Sequence, residues 1–263
     1  SIIARPTYIS LLLSSKNMIE NLALLLPKSS WVYNALKKMP YLIAFMVSNE
    51  KIQPLSFDEQ GKDDEIYNER LRHFKWSSMA KIACDVLREN ITIDRASILL
   101  TELAEVILFE VYKRCWDDLV AKSGKPSGVK NFRSTGFAII AYGKLASSEL
   151  LFSSDLDLVF LYKDQAEPKS DSNHKFYAKL AQKILSFLQT KTLSGFLYPI
   201  DIRLRPSGGS GLLVSKIEAF EKYQQKNAWV WEHQALMRSR AILGDAILIK
   251  KFDKIRSDIL CKV

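Results

Sequence analysis

The stretch YGKLASSELLFSSDLDLVFLY, residues 142–162, decides the fold of the second half of this chain. It starts where one short apolar run, residues 136–142, ends, and it closes with a second run, Leu156–Tyr162. Continuous apolar runs of this length are typical of strands that are buried on both faces of a sheet. Because Gly143 directly follows the first run, the sequence predicts a strand, a glycine turn, a short helix over 145–151 and a second strand.

Beyond this stretch, the pattern toward the C-terminus continues to mix strand and helix. Residues 196–205 (FLYPIDIRLR) predict a third strand, and SGGSG at 207–211 predicts a tight turn. Ser215 and Glu218 then have the spacing of a capping box, which predicts that a helix opens there. The helical patterns in this half cover residues 174–189, 229–240 and the segment from 245 to the end.

The first half of the chain is a succession of helical patterns. These patterns cover residues 6–13, 16–26 and 30–38, then a long segment that follows the polar stretch 56–64 and ends near residue 89, and one further helix. Thr92 or Asp94 is the predicted N-cap of that further helix.

A polar linker at 122–135, which contains SGKPSG, separates the helical half from the strands. We therefore expect an α+β protein with a helical lead domain at 1–128 and a small mixed-sheet α/β domain at 129–228. Residues 229–263 are expected to begin a further, C-terminal helical region.

The composition is that of an ordinary soluble globular protein. Of 263 residues, 48% are hydrophobic and 25% are charged, which disfavours disordered and fibrous classes. No apolar run approaches the roughly 20 residues of a membrane span, so no membrane association is expected. The N-terminus shows no secretory signal, and it begins at Ser1 without Met, which suggests a fragment or a processed chain.

The cysteines, the histidines and the net charge indicate which classes of site and partner to expect. The 3 Cys and 3 His residues match no CxxC or HExxH spacing, which argues against disulfides and zinc and for a cytoplasmic protein. The formal net charge of +9 favours an anionic partner, although solubility explains it equally well. Nucleic acid is disfavoured as that partner because Lys and Arg are spread evenly, without a basic helix or an RNA-stacking motif.

Acidic residues within the apolar strands point to a catalytic or binding site. Asp155 and Asp157 stand at the mouth of the second strand, where side-chain alternation sends both carboxylates to one face. Asp201 lies in the third strand, on the same face as Arg203 and Arg205. Carboxylates about 5 Å apart repel by roughly 3 kcal/mol at an effective dielectric of about 20, so such a cluster shares a proton or binds cations. Three acidic oxygen donors suit Mg²⁺, which keeps water and substrate phosphate in its remaining positions.

Structural interpretations compete with this one. An N-cap or turn pair before a strand also explains Asp155 and Asp157, and a salt-bridge face explains the two arginines. The third aspartate on a neighbouring strand favours the metal–phosphate site. Gly143 and Lys144 support it, because a glycine at a strand-to-helix turn lets the backbone approach a phosphate and lysine adds a charge. Eleven residues separate Gly143 from Asp155, and this spacing joins the turn and the carboxylate pair into one pattern.

At these residues the sequence resembles known proteins. The spacing from Gly143 to Asp155 and Asp157 is similar to that of the nucleotidyltransferase superfamily that includes DNA polymerase β. More closely, the chain resembles the glutamine synthetase adenylyltransferase/deadenylylase family. The blocks that carry this resemblance are 142–162, 198–215 and 229–245, with weaker ones at 5–12, 29–42 and 71–87. One departure is that the family usually has Gly-Gly where this chain has Ala146 and Ser147.

The resemblance implies a polymerase-β-like nucleotidyltransferase domain and a Mg²⁺-dependent transfer of AMP from ATP to a tyrosine hydroxyl of glutamine synthetase, an activity that regulates nitrogen assimilation. It implies two Mg²⁺ ions, one held by Asp155 and Asp157 and one shared with Asp201, which also serves as a possible general base. The residues proposed to contact the nucleotide, directly or through the aspartates, are Gly143, Lys144, Ser154, Arg203 and Arg205.

Family members are bifunctional, with one half that adds AMP and one that removes it. The form of the blocks RPSGGSGLLVS and WEHQALMRSR resembles the C-terminal, adenylylating half. The alternatives are the deadenylylating half, which uses phosphate and returns ADP, another nucleotidyltransferase, or a non-catalytic binding module. A PII-type signal protein and glutamine are implied as regulators by the resemblance only.

Overall fold

The structure, a computed structural model, describes residues 10, 16–47, 55–57, 63–163, 171–192 and 194–261. The helix predicted over 6–13 lies outside the described residues apart from residue 10, as does most of the polar stretch 56–64. The contacts divide the chain into two compact units. The first runs to Ile107 and includes Thr192–Gly195, and the second comprises the rest from Leu108.

The first unit is helical. Its helices are α1 (Lys16–Leu25), α2 (Ser30–Lys38), α3 (Ile43–Val47), α4 (Asp64–Leu87) and the first half of α5 (Ile93–Ser123). Side chains that accept hydrogen bonds from the first turn explain where helices begin: Ser29 caps α2, and Asp63 caps α4. Thr92 Oγ1 accepts from Arg95 N at 3.2 Å, which confirms Thr92 as one of the two predicted caps of α5.

The second unit contains a mixed sheet of five strands among the described residues. The strands are β1 (Phe137–Tyr142), β2 (Leu156–Tyr162), β3 (Ile200–Asp201), β4 (Val214–Lys216) and β5 (Ser239–Gly244). Their order is β3-β2-β1-β5, with β4 also pairing with β2. β1 lies antiparallel to β2 and β5, whereas β3 and β4 run parallel to β2. The predicted α+β class is confirmed.

Helices cover both faces of this sheet. They are the second half of α5, α6 (Gly143–Ala146), α7 (Asp171–Gln189), α8 (Ile217–Lys226), α9 (Val230–Met237) and α10 (Ala246–Leu260). On one face Phe137 stacks on Tyr112 and Tyr177, with ring centroids 5.7 and 5.9 Å apart. On the other face Ile140 belongs to a fully buried cluster with apolar residues of α8, α9 and α10, including Phe252. β1, which ends directly before Gly143, is therefore packed against helices on both faces.

Several local predictions were wrong, because sheet pairing overrides the local pattern. The third strand covers only Ile200–Asp201, after which the chain leaves the sheet in turns. Ser215 lies in β4, so the predicted capping box does not form, and α8 begins at Ile217 without a side-chain cap. The helix predicted over 145–151 is a single turn, α6. The helix predicted over 229–240 ends at Met237, since the following residues form β5.

None of the helices in the described part of the chain combines the length and the apolarity that crossing a bilayer requires.

Gly244, the last residue of β5, lies too close to β1 for a side chain. Its φ is +129°, and a Cβ there would lie 2.2 Å from Phe137 O and 2.5 Å from Ala138 Cα. We expect Gly244→Ala to lower the free energy of unfolding by about 3 kcal/mol, because strands of a packed sheet would have to separate. Chemical denaturation measures this loss. Gly195→Ala is the control, since it has a positive φ but nothing within 4 Å of the added Cβ. Equal losses in the two variants would contradict the clash.

Candidate active site

Three aspartates meet at the end of the sheet where β2 begins. β2 and β3 pair in parallel with Asp157 opposite Asp201, and Asp155 precedes β2 directly. Each carboxylate offers an oxygen, and these oxygens all lie within 4.8 Å of one another. The structure therefore brings together the three carboxylates that the sequence singled out.

The backbone explains this convergence. Leu156 N donates to Pro199 O at 3.0 Å, which starts the β2–β3 pairing, and Leu156 is buried on the core side of the sheet. Because side chains alternate along a strand, Asp157 then points to the opposite side from Leu156, where Asp201 lies beside it. Asp155 is exposed, whereas Asp157 and Asp201 are half-buried.

The environment of Asp157 disfavours a negative charge. Partial burial, followed by the charges of Asp155 and Asp201, raises the pKa of Asp157 to about 6 despite the opposing effect of Arg203 and Lys144. A carboxylate in this situation is stabilised by a proton or by a cation. The electrostatics of the site thus favour binding of a positive ion.

Asp201 is in the opposite situation because Arg203 is hydrogen-bonded to it. Arg203 Nε donates to both carboxylate oxygens, at 3.0 and 2.8 Å, and the backbone N of Arg203 donates to Oδ1 at 2.8 Å. These bonds hold the pKa of Asp201 below its ordinary value. Arg203 therefore orients the Asp201 carboxylate in this structure, as one of the two sequence interpretations expected.

Gly143 lies so close to Asp157 that a side chain at this position would clash with the carboxylate. Its φ is +57°, and a Cβ at this position would lie 2.6 Å from Asp157 Oδ2. Its amide N donates to Arg238 O at 2.9 Å, so that hydrogen is used within the protein. The structure thus gives Gly143 a steric reason to be glycine, separate from the phosphate contact predicted from the sequence.

Lys144 and Ser154 lie on the segments that flank the carboxylates. Lys144 is exposed, and its charge acts on Asp157. Ser154 Oγ accepts from Leu151 N at 3.0 Å, and Ser154 N donates to Leu151 O at 3.1 Å. Ser154 therefore shapes the turn before β2, and a phosphate contact for either residue stays a prediction.

Arg205 is positioned by the turns that follow β3 and not by the strand alternation that the sequence predicted. Because the chain leaves the sheet after Asp201, strand alternation does not carry Arg205 to the same face. Its guanidinium instead donates to three carbonyl oxygens, Ile202 O at 2.6 Å, Gly209 O at 2.9 Å and Gly211 O at 3.2 Å. Arg205 holds the SGGSG turn together, and it is buried there.

The two small residues at the usual Gly-Gly positions do not need glycine's freedom here. Ala146 is the last residue of α6, and Ser147 has a φ of −90°. Ser148, the next residue, has the positive φ of 60°. The backbone of this segment is therefore compatible with Ala146 and Ser147.

Two groups of residues around the site were not predicted from the sequence. Arg238 and Arg240 contact the segment 143–149, because β5 pairs with β1. Tyr223 donates its hydroxyl hydrogen to the buried carboxylate of Glu232, which also accepts from Trp229 N at 2.8 Å. The second contact caps the start of α9. No sequence signal could have revealed the arginine contacts, since they depend on an unpredicted strand.

The donor set fits Mg²⁺. Mg²⁺ prefers hard oxygen ligands and is held by few carboxylates together with substrate phosphate and water. Asp155, Asp157 and Asp201 supply such oxygens, and burial together with the charges of the other two aspartates raises the pKa of Asp157. The arrangement can therefore hold divalent ions beside a nucleotide.

The affinity of the site for Mg²⁺ should depend on pH. A proton on Asp157 competes with the ion, and with a pKa of about 6 this carboxyl is mostly protonated at pH 5 and mostly ionised at pH 7.5. We expect the Kd for Mg²⁺ to rise by about tenfold from pH 7.5 to pH 5, as calorimetric titration would measure. Equal Kd values at the two pH values would contradict the role of Asp157.

The chain is similar to known proteins along its whole length. A family model described as glutamate-ammonia ligase adenylyltransferase matches residues 19–255. The chain is similar to the bifunctional glutamine synthetase adenylyltransferase/adenylyl-removing enzyme of Alteromonas mediterranea, with 39% identity over 291 aligned positions. This match covers 100% of the chain and 29% of the relative, so the chain spans less than a third of that relative's length.

Proposed function

Because the chain belongs to the glutamate-ammonia ligase adenylyltransferase family, we propose that it transfers AMP from ATP to a tyrosine hydroxyl of glutamine synthetase. The observation that supports this proposal is the meeting of three carboxylate oxygens within 4.8 Å at the mouth of β2. Nucleotidyl transfer needs such a group of oxygen donors to hold divalent cations, because these cations stabilise the negative charge that develops on the phosphates as the leaving group departs.

The reaction forms one bond and breaks one. The tyrosine oxygen attacks the α-phosphorus of ATP, the bond from that phosphorus to the bridging oxygen breaks, and pyrophosphate leaves. The phenolic proton is lost to a base. The attacking hydroxyl arrives on the partner protein, so the reaction needs no nucleophilic side chain of this chain.

In this proposal Asp155 and Asp157 hold one Mg²⁺, and Asp201 shares in holding a second. When bound, such ions neutralise phosphate charge and make the incoming hydroxyl more acidic. Arg203 orients Asp201 through three side-chain hydrogen bonds. The low pKa of Asp201 makes it a weak proton acceptor, which favours a role in orientation over the base role considered from the sequence.

The reverse activity is the second candidate. The Alteromonas mediterranea relative is named both as an adenylyltransferase and as an adenylyl-removing enzyme, and the chain covers only 29% of it. A deadenylylating chain would use the same carboxylates, with phosphate attacking the AMP–tyrosine bond and ADP leaving. The similarity of residues 205–215 and 231–240 to the adenylylating half favours AMP addition.

One experiment distinguishes these activities. The chain is incubated with Mg²⁺, ATP labelled at the α-phosphate, and glutamine synthetase, and the protein-bound label is counted. Label on the synthetase that depends on Mg²⁺ is the expected result. Release of labelled ADP from pre-modified synthetase in the presence of phosphate, without labelling, would instead support removal. The absence of both reactions would contradict the proposed function.

A further inference from the structure

We infer that Arg238 and Arg240 are positioning residues for the transfer, and that together they hold residues 143–149 against Asp157. This inference rests on the proposed function and adds two residues to its machinery. Residues 143–149 are called the Gly143 segment below. Arg240 approaches it from β5 and Arg238 from the residue before β5, and the two hold it at its beginning, at its middle and at its end.

The approach is set by the register of β1 and β5. Ala141 pairs with Arg240, and Tyr142 pairs with Ser239, so the start of β5 lies beside the end of β1. The ladder extends one step beyond the strands, where Gly143 N donates to Arg238 O at 2.9 Å. The first residue of the Gly143 segment is thus fixed by the backbone of Arg238.

Arg240 holds the middle of the segment. Its Nε donates to Ala146 O at 3.1 Å and its Nη2 to Leu145 O at 3.3 Å. These carbonyls belong to the end of α6, a single helical turn, and the last carbonyls of a helix lack partners within the helix. Because the guanidinium is planar and presents several donors in a fixed fork, one arginine can bind both carbonyls and fix their orientation.

Arg238 holds the end of the segment. Its Nη2 donates to Ser147 Oγ at 2.7 Å and also forms an ion pair with Glu149. Ser147 Oγ in turn donates to Gly143 O at 3.0 Å, which joins the two ends of the segment. Ser148, which lies between Ser147 and Glu149, has a φ of 60°, a conformation that a non-glycine residue keeps only where its surroundings enforce it.

This bracing matters for the chemistry because of where Gly143 lies. A Cβ on Gly143 would be 2.6 Å from Asp157 Oδ2, so the backbone of the segment forms part of the wall around that carboxylate. Lys144, the next residue, contributes charge to the same carboxylate. A shift of the segment by about 1 Å would misplace both, and misplacements of this size cost up to about 10²-fold in rate.

The test compares Arg240→Ala and Arg238→Ala with Arg256→Ala. Arg256 is a matched control, because its Nε donates to Leu236 O at 3.0 Å and its Nη2 to Met237 O at 2.5 Å, at the end of α9. It therefore also binds the last carbonyls of a helix, but it does not bind the Gly143 segment. The measurements are the melting temperature, kcat, the KM for Mg·ATP and the KM for glutamine synthetase.

We expect kcat/KM for Mg·ATP to fall by about tenfold or more in Arg240→Ala and Arg238→Ala, with the KM for glutamine synthetase unchanged. Arg240→Lys, which reaches one carbonyl at a time, should recover part of the loss. Added guanidinium ion should restore activity to Arg238→Ala, because this side chain is exposed and leaves an open gap. Arg256→Ala should lower the melting temperature as much while keeping kcat/KM.

Two outcomes would overturn the inference: unchanged kcat/KM for Mg·ATP in both Arg238→Ala and Arg240→Ala, or a loss of the same size in Arg256→Ala. Binding of Mg·ATP, measured by calorimetry, separates this inference from the proposed function. If the unmodified chain transfers no AMP, the proposed function fails. An equal Kd for Mg·ATP in the unmodified chain and in Arg240→Ala then also rejects the positioning role of Arg238 and Arg240.

Discussion

Asp157→Asn is expected to reduce AMP transfer by at least about 10³-fold while the protein remains folded. Asparagine keeps the shape of the side chain but removes the charge that holds the metal ion. Metal ions supply several kcal/mol of transition-state stabilisation, and each 1.36 kcal/mol corresponds to about tenfold in rate. The label-transfer assay, run at saturating Mg²⁺ and ATP, measures the loss.

The stability of this variant should not fall, and this separates lost chemistry from lost structure. The pKa of Asp157 is raised to about 6, above its unfolded value, so the charge that this residue carries at pH 7.5 lowers the stability of the folded protein. A neutral residue removes that penalty, and we expect an equal or higher melting temperature. Asp258→Asn, at an exposed position of α10, is the control for a lost surface charge. Turnover above a tenth of normal in Asp157→Asn would refute the metal scheme.

Gly143→Ala is expected to reduce AMP transfer by about 10²-fold, with a smaller effect on stability. The added methyl group would lie 2.6 Å from Asp157 Oδ2, at φ +57°. The carboxylate is the end of a side chain, so it can rotate away at modest cost to the fold. That rotation moves it out of the group formed with Asp155 and Asp201, and the activity falls for this reason.

Gly124→Ala separates the steric effect from backbone strain. Gly124 also has a positive φ, +74°, but nothing lies within 4 Å of the Cβ that alanine would add. Both variants should lose about 1 kcal/mol of unfolding free energy from the left-handed conformation. Only Gly143→Ala should lose activity and weaken Mg²⁺ binding. Equal activities of the two variants would show that the contact with Asp157 does not matter.

Local patterns predicted the helices and the two central strands well, because each carries its own signal. α2 was predicted at Ser30–Lys38, and β2 at Leu156–Tyr162, as the structure has them. β1 is a wholly buried run, and such a run has few alternatives to a central strand. Thr92 shows the same for helix starts, since an N-cap is a contact between residues close in sequence.

Short strands were predicted poorly in this way. The strand predicted over 196–205 is reduced to the two residues of β3, and β4, with three residues, is too short to show alternation. The sequence SRAILG of β5 continues the apolar spacing of the helix before it, which led to the helix predicted over 229–240. Pairing with β1 decides the conformation of β5, and the residues at the end of α9 do not indicate that the helix stops there.

The site was partly predictable for the same reason. Asp155 directly precedes β2 and Asp157 is the second residue of that strand, so the local sequence placed both at the start of β2. It also determined the apolar strands beside them and the glycine that follows β1. These properties depend on contacts and alternation within a few residues, which the order of side chains alone specifies.

Only the tertiary structure decided the rest of the site. The parallel pairing of β2 with β3 places Asp201 beside Asp157, while the turn after Asp201 takes Arg205 away to brace the SGGSG loop. The pairing of β5 with β1 brings Arg238 and Arg240 to the Gly143 segment. The contacts of Asp201 with Asp157 and of the two arginines with the Gly143 segment join residues about 40 to 100 positions apart, and their free energy comes from burying whole strands and helices together, which no local pattern encodes.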